Sequence, residues 1–203
     1  MSVPFSPVRR VLLASAAATL PLALLGCKSK AAEPLPFEGS DISGTHLGRD
    51  LDMTDTQGRR RTLADFRGKV LLVFFGYTQC PDVCPTAMAQ AAQALELLGD
   101  QASQVQVLMV SVDPARDTPA ILGAYVHAFD PSFMGLTGTP EQLEKTARSF
   151  KAFYAKEPGP TPEQYAMNHS AAFYLLDQDG EARALLGPSL TPEDMAHDIK
   201  LLL

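Results

Sequence analysis

Val70-Leu-Leu-Val-Phe-Phe75 runs into Gly76-Tyr-Thr-Gln-Cys80-Pro-Asp-Val-Cys84-Pro85, and a breaker-free Ala/Leu/Gln/Glu segment follows from Ala87 to Leu98. The first piece is a continuous apolar run bounded by Gly68 and Gly76. That pattern suits a central strand buried on both faces. The last piece reads as a helix stopped at Gly99. A second buried strand, Val105 to Val112, comes next. Strand, Cys/Pro turn, helix and strand in this order begin an α/β layer structure.

Working outward, Leu51 to Gly58 reads as a strand entering a Gly turn. Thr118 caps a helix with Pro119 at its first position, running to about Phe129. Thr139-Pro140-Glu141 opens another, ending near Ser149. Ala171 to Leu176 is a strand, Asp179-Gly180 a hairpin turn and Ala182 to Leu186 the returning partner. Thr191-Pro192-Glu193 starts a last helix holding Met195, Ile199 and Leu202. No internal repeat is visible. The pattern predicts one α/β domain, a mixed central sheet flanked by helices.

Bulk properties narrow the function classes. Of 203 residues, 46 % are hydrophobic and 20 % charged, which excludes a disordered or collagen-like chain. The net charge of −6, with no long basic block, argues against nucleic-acid binding. Three cysteines are too few for a disulfide-stapled scaffold.

The N-terminus has an export pattern. Arg9 and Arg10 precede an apolar run from Val11 to Leu25 that is too short and too interrupted to span a bilayer. Gly26-Cys27 resembles a bacterial lipobox, which implies cleavage before Cys27 and acylation of its thiol. The expected division is a lipoprotein signal peptide over 1–26, a lipid-anchored flexible tether over 27–47 and a folded domain over 48–203. The Pro-containing polar stretch from Lys28 to about Ser43 suits the tether. Two acyl chains give stable membrane attachment. The domain would face the periplasm, where an idle thiol pair tends to be oxidised.

With Cys27 assigned to lipid, Cys80 and Cys84 remain. They fall where a buried strand ends and a helix begins, at the sheet's carboxyl edge, where α/β proteins place their sites. A helix N-terminus favours anions, so at least one thiolate is expected to form more easily there. Helical residues four apart have Cβ atoms about 5–6 Å apart, while a disulfide wants about 3.8 Å. A disulfide needs local adjustment, and a soft metal bridges the pair more readily; thiolates select Cu(I), Zn and iron–sulfur centres.

A third donor is sought among four histidines. His46 precedes the domain proper, and His127 and His197 fall on helix surfaces. His169 differs: it follows an irregular segment, Lys156 to Asn168, with Pro158, Pro160 and Pro162, and immediately precedes the strand from Ala171. In a thioredoxin-like sheet, the turn before that strand lies against the start of the Cys-bearing helix. Redox thioredoxins carry a proline there; this chain has His169-Ser170.

Taken together these motifs resemble the SCO/SenC family, copper-binding thioredoxin-like proteins of cytochrome c oxidase assembly. The resemblance runs from Leu51 to about Leu202. It rests on Thr54-Asp55 with Gly58, Phe75-Gly-Tyr-Thr78, Cys80-Pro-Asp-Val-Cys84-Pro85, Ser111-Val-Asp-Pro114, Arg116-Asp-Thr-Pro119, and Tyr165 before His169-Ser170. It implies a thioredoxin-like fold with Cys80, Cys84 and His169 as ligands to Cu(I) or Cu(II). It also implies copper delivery to, or reduction of the cysteines of, the dinuclear centre of oxidase subunit II, with an upstream copper donor and a thiol reductant as further partners. A single tethered domain makes a monomer the default.

Many members carry Asp before the histidine, and this chain has Asn168. An amide there removes a charge that would tune the imidazole. Asp82 reads as a helix N-terminal acid, and Asp113 as a turn residue that could face the site; neither is expected to be a ligand. A competing reading is a thiol–disulfide oxidoreductase with Cys80 attacking and Cys84 resolving. A peroxidase-like thiol enzyme on the same fold is a third.

Overall fold

The computed structural model describes residues 35–161 and 164–203. The proposed leader and Cys27 lie outside them.

Three parallel strands form the middle of the sheet: β4 (Val70–Gly76), β5 (Val105–Ser111) and β6 (Met134–Thr137). Every residue of β4 is buried, as its unbroken apolar run requires. Beside β4 run β9 (Phe173–Leu176), antiparallel to it, then β10 (Ala182–Leu186) and the two-residue β1 (Ser40–Asp41). Beside β6 lie β2 (Asp52–Asp55) and β3 (Arg60–Thr62), a hairpin turned at Gly58, whose φ of 78° suits glycine. The sheet order is β1-β10-β9-β4-β5-β6-β2-β3.

Four helices flank it. α1 (Val83–Leu98) packs against α4 (Pro192–Lys200). α2 (Pro119–His127) lies over β6, and α3 (Pro140–Phe150) packs against β2. The Thr-Pro starts work as expected: the hydroxyls of Thr118, Thr139 and Thr191 accept from Ile121, Gln142 and Asp194 N–H. No helix among the described residues is long and apolar enough to cross a membrane.

The structure departs from the sequence expectation in four places. The tether was expected to reach residue 47, yet the fold starts earlier. The buried Asp198 carboxylate accepts Glu38 and Gly39 N–H, both at 2.8 Å, and β1 pairs with β10. A stretch without hydrophobic period enters the sheet because its backbone pairs with the sheet edge, while the isolated apolar residues Phe37, Ile42 and Leu47 pack on the core. Next, β6 has no counterpart in the sequence pattern. It is four residues long and contains Gly135, where a Cβ would come within 2.5 Å of Leu122 on α2. Third, the irregular segment before His169 contains a separate hairpin, β7 (Tyr154–Glu157) with β8 (Ala166–His169). Only Tyr154 and Met167 of this hairpin pack on the core, too few apolar residues in four-residue strands to mark it in the sequence. Finally, α4 ends at Lys200, so Leu202 follows the last helix rather than lying within it.

Candidate metal centre

Cys84 is the second residue of α1 and is fully buried; Cys80 lies in the loop before the helix and is half-buried. The two are thus not stacked on one helical face. The loop turns back on itself, with Cys80 N–H donating to the Tyr77 carbonyl at 3.3 Å. This turn brings the Cys80 sulfur over the start of α1, where it accepts Cys84 N–H at 3.4 Å. Gly76 makes room for the second thiol: a Cβ there would lie 3.0 Å from Cys84 Sγ and 2.7 Å from the Phe74 ring.

His169 closes the site from β8. Its Nε2 is 3.3 Å from Cys84 Sγ, and its Nδ1 lies 3.0 Å from the Ser170 carbonyl oxygen. A carbonyl can only accept, so Nδ1 carries the proton and Nε2 presents its lone pair to the thiols. Phe74 and Tyr77 meet the imidazole edge-on, with ring centroids 5.8 and 5.9 Å away. They leave it little freedom to turn.

Cys80, Cys84 and His169 therefore offer three ligand atoms within 4.8 Å of one another. Bonds of about 2.0–2.3 Å to sulfur and nitrogen place the donors of a trigonal ion just under about 4 Å apart. The site needs little more than a fraction of an ångström of closure. Two thiols and one imidazole suit a soft ion such as Cu(I). Among the described residues no other His/Cys/Asp/Glu cluster of this kind occurs.

The helix start does not ease ionisation of the second thiol: burial pushes Cys84 well above its ordinary range. A Tyr77 backbone hydrogen bond only partly opposes this. A metal must displace that proton when it binds.

The other expected residues fall as follows. His46 sits on the surface beside Glu181, 3.1 Å away, and His127 and His197 are also exposed. Asp82 is the N-cap of α1 by position, without a side-chain capping bond. Asn168 is exposed on β8, alternating with His169, and the imidazole Nδ1 is already held by Ser170. The charge lost at residue 168 is thus not one that would hold Nδ1. Asp113 is committed elsewhere, accepting from the Tyr165 hydroxyl at 2.7 Å and pairing with Arg116.

A carboxylate that sequence reasoning passed over lies under the cysteine loop. Asp117 is fully buried and accepts from Thr78 N–H at 3.2 Å, Thr78 Oγ1 at 2.6 Å and Ser111 Oγ at 2.7 Å. Burial pushes its carboxyl up, against those hydrogen bonds. The signal was available: an Asp directly before a helix-capping Thr-Pro, and Ser111 at the end of an apolar strand.

A mixed sheet with a Cys-x-x-x-Cys turn at its carboxyl edge and a histidine facing that turn defines a thioredoxin-like domain fitted for a soft metal. The SCO1/SenC family model matches residues 40–203, and the chain belongs to that family. It is 41 % identical over 133 residues to the mitochondrial SCO2 homologue of Bos taurus, covering 64 % of this chain and 50 % of that protein. It is 33 % identical over 175 residues to the human mitochondrial SCO1 homologue, covering 85 % and 58 %. The chain thus spans about half to three fifths of the length of these relatives. Copper-bound ScoI of Bradyrhizobium japonicum superposes with a TM-score of 0.70 at 37 % identity, over 81 % of this chain and 99 % of that one. A SCO1/SenC family lipoprotein of Bacillus anthracis gives 0.65 at 28 %, over 84 % and 98 %.

Proposed function

We propose that this protein is a membrane-tethered copper carrier that assists assembly of the dinuclear copper centre of cytochrome c oxidase. The observation carrying this reading is the convergence of Cys80, Cys84 and His169 ligand atoms within 4.8 Å. The copper-bound state of the Bradyrhizobium relative supports copper as the cargo, and family membership supports cytochrome c oxidase as the recipient, its subunit II being what the sequence resemblance implies.

The chemistry follows from the donors. With both thiols reduced, copper displaces their protons and is held by two sulfurs and the imidazole Nε2. Transfer is ligand exchange: a recipient thiolate takes the place of the more accessible Cys80 first, and Cys84 and His169 follow. Oxidation of the pair would abolish two of three ligands, so an upstream donor and a thiol reductant belong to the cycle. On this reading Cys27 is lipidated after removal of a leader over 1–26, and the domain works at the periplasmic face of a bacterial membrane. The lipoprotein relative from Bacillus anthracis supports the lipid anchor.

The test is an anaerobic Cu(I) titration of the reduced protein beside His169→Ala and Cys84→Ser variants. One equivalent bound tightly, and weakened in both variants, is expected. Absence of stoichiometric uptake by the reduced wild type would overturn the reading.

A second reading, thiol–disulfide exchange, is favoured by one observation: Cys80 is partly accessible whereas Cys84 is buried beside it. That is the arrangement of an attacking and a resolving thiol. It predicts disulfide-reducing activity that survives His169→Ala.

A further inference from the structure

The hairpin that carries His169 is not hydrogen-bonded into the main sheet. β7 and β8 pair only with each other, with Tyr154 opposite His169. At its base, Phe153 N–H donates to Ser170 Oγ and Ser170 N–H to the Phe153 carbonyl, bonds internal to the hairpin. Tyr154 and Met167 pack on the core, and the polar ties that fix the hairpin beside the thiols run to the turn next to the cysteine loop.

One turn grips both. Asp113 to Asp117 follows β5, closed by Arg116 N–H and Asp117 N–H donating to the Asp113 carbonyl at 3.1 and 2.9 Å. On one side, Asp117 accepts from Thr78 of the cysteine loop. On the other, the turn holds Tyr165, the residue just before β8. The Tyr165 hydroxyl donates to Asp113 Oδ1 at 2.7 Å, and Arg116 Nη1 donates to the Tyr165 carbonyl at 2.9 Å. The Arg116 guanidinium, paired with Asp113, stacks over the Tyr165 ring at 3.5 Å, and Lys156 reaches the same ring at 3.7 Å.

We propose that Asp113, Arg116 and Tyr165 form a latch that holds the His169 hairpin against the cysteine loop, and that opening this latch sets the rate at which copper leaves the site. These are positioning residues; none lies within the ligand cluster. The latch is closed but not fully satisfied, because Arg116 Nη2 is buried without a hydrogen-bond partner. A buried donor left unpaired reduces what closure gains. Opening swings out His169, the one ligand on a separate hairpin, and uncovers Cys84, whose sulfur the imidazole contacts at 3.3 Å. Two thiols on the sheet-and-helix scaffold then remain to be replaced in turn.

The copper half of this inference rests on the carrier reading above, so its test has one arm without metal. In a Cys80→Ser background, reduced and metal-free, the rate at which iodoacetamide alkylates Cys84 reports hairpin opening. Tyr165→Phe keeps the ring and loses only the hydroxyl on Asp113; Arg116→Lys keeps the charge and loses the fork and the stack. Each is expected to speed alkylation about tenfold, the population equivalent of one hydrogen bond to a charged group. The rate should change little with low urea, unlike exposure through global unfolding. In the second arm, Tyr165→Phe without the Cys80 substitution should give up Cu(I) to a chromophoric chelator about tenfold faster than wild type. Unchanged alkylation in both variants overturns the latch whether or not copper binds. Faster alkylation with unchanged release overturns its role in transfer. Failure of wild type to bind Cu(I) removes the carrier reading, while the alkylation arm still decides the latch.

Discussion

Adding one methyl group at Gly76 tests how tightly the end of β4 fits the buried thiol. In Gly76→Ala the new Cβ would stand 2.7 Å from Phe74 and 3.0 Å from Cys84 Sγ. Phe74 is fully buried and packs against Phe173 at 4.9 Å between centroids, so it has little room to retreat. Overpacking of this kind costs about 1–3 kcal/mol. Removing glycine's freedom in the unfolded chain returns about 0.4–1 kcal/mol. A net loss of about 1–2 kcal/mol is expected, read as a lower urea midpoint with an unchanged m-value. The sulfur must also move by a few tenths of an ångström, away from its position 3.3 Å from His169 Nε2. A strained ligand set should weaken Cu(I) binding about tenfold, or about 1.4 kcal/mol, measured by competition with a chelator of known affinity. Wild-type values for both stability and copper affinity in Gly76→Ala would refute the claim that glycine is required for the thiol's approach.

Further outcomes follow from the buried groups. Because burial raises the Cys84 thiol above its ordinary value of 9.0, the unfolded chain ionises first as pH rises. The folded apo protein should therefore lose stability above about pH 9, by at most about 1.4 kcal/mol per pH unit from this group, and Cys84→Ala should remove that part of the slope in denaturant unfolding. Asp117 follows the same sign lower down. Its raised carboxyl means wild type loses stability relative to Asp117→Asn as pH rises from 3.8 through its folded value. Asp117→Ala leaves Thr78 and Ser111 donors without their acceptor, and should cost about 2–4 kcal/mol at neutral pH by urea unfolding. Asp198→Ala removes the acceptor of Glu38 and Gly39 N–H, so amide exchange at residues 38–42 should accelerate while the sheet centre keeps its protection.

The sheet core was legible because its signals are local. Val70–Phe75 and Val105–Val110 have enough consecutive apolar residues to read as buried strands, and three Thr-Pro pairs mark helix starts by capping chemistry alone. The ligand candidates were legible too, since cysteines four apart at a strand-to-helix turn have few other uses, and His169 alone among the histidines abuts a strand at that edge. The pieces that went unread are short or held from outside. Met134–Thr137 is a strand because β5 and β2 lie beside it, and Tyr154–Glu157 because Ala166–His169 folds back on it. Ser40–Asp41 joins the sheet because Asp198, some 160 residues away in sequence, fixes the two amides before it.

The sequence by itself determined the fold class and the position of the thiol pair, because periodicity, capping and donor chemistry are properties of neighbouring residues, and it singled out His169 as the candidate third donor. Only the tertiary structure decided that Cys84 is fully buried and hard to ionise while Cys80 is half-buried. It alone also showed that Ser170 rather than residue 168 fixes the imidazole, and that Asp113 to Asp117 joins the cysteine loop to the histidine hairpin. Those facts depend on burial and on contacts between segments up to 85 residues apart, such as Cys84 and His169. The burial of a single polar side chain and the pairing of distant segments belong to the packed chain, and no local pattern encodes them.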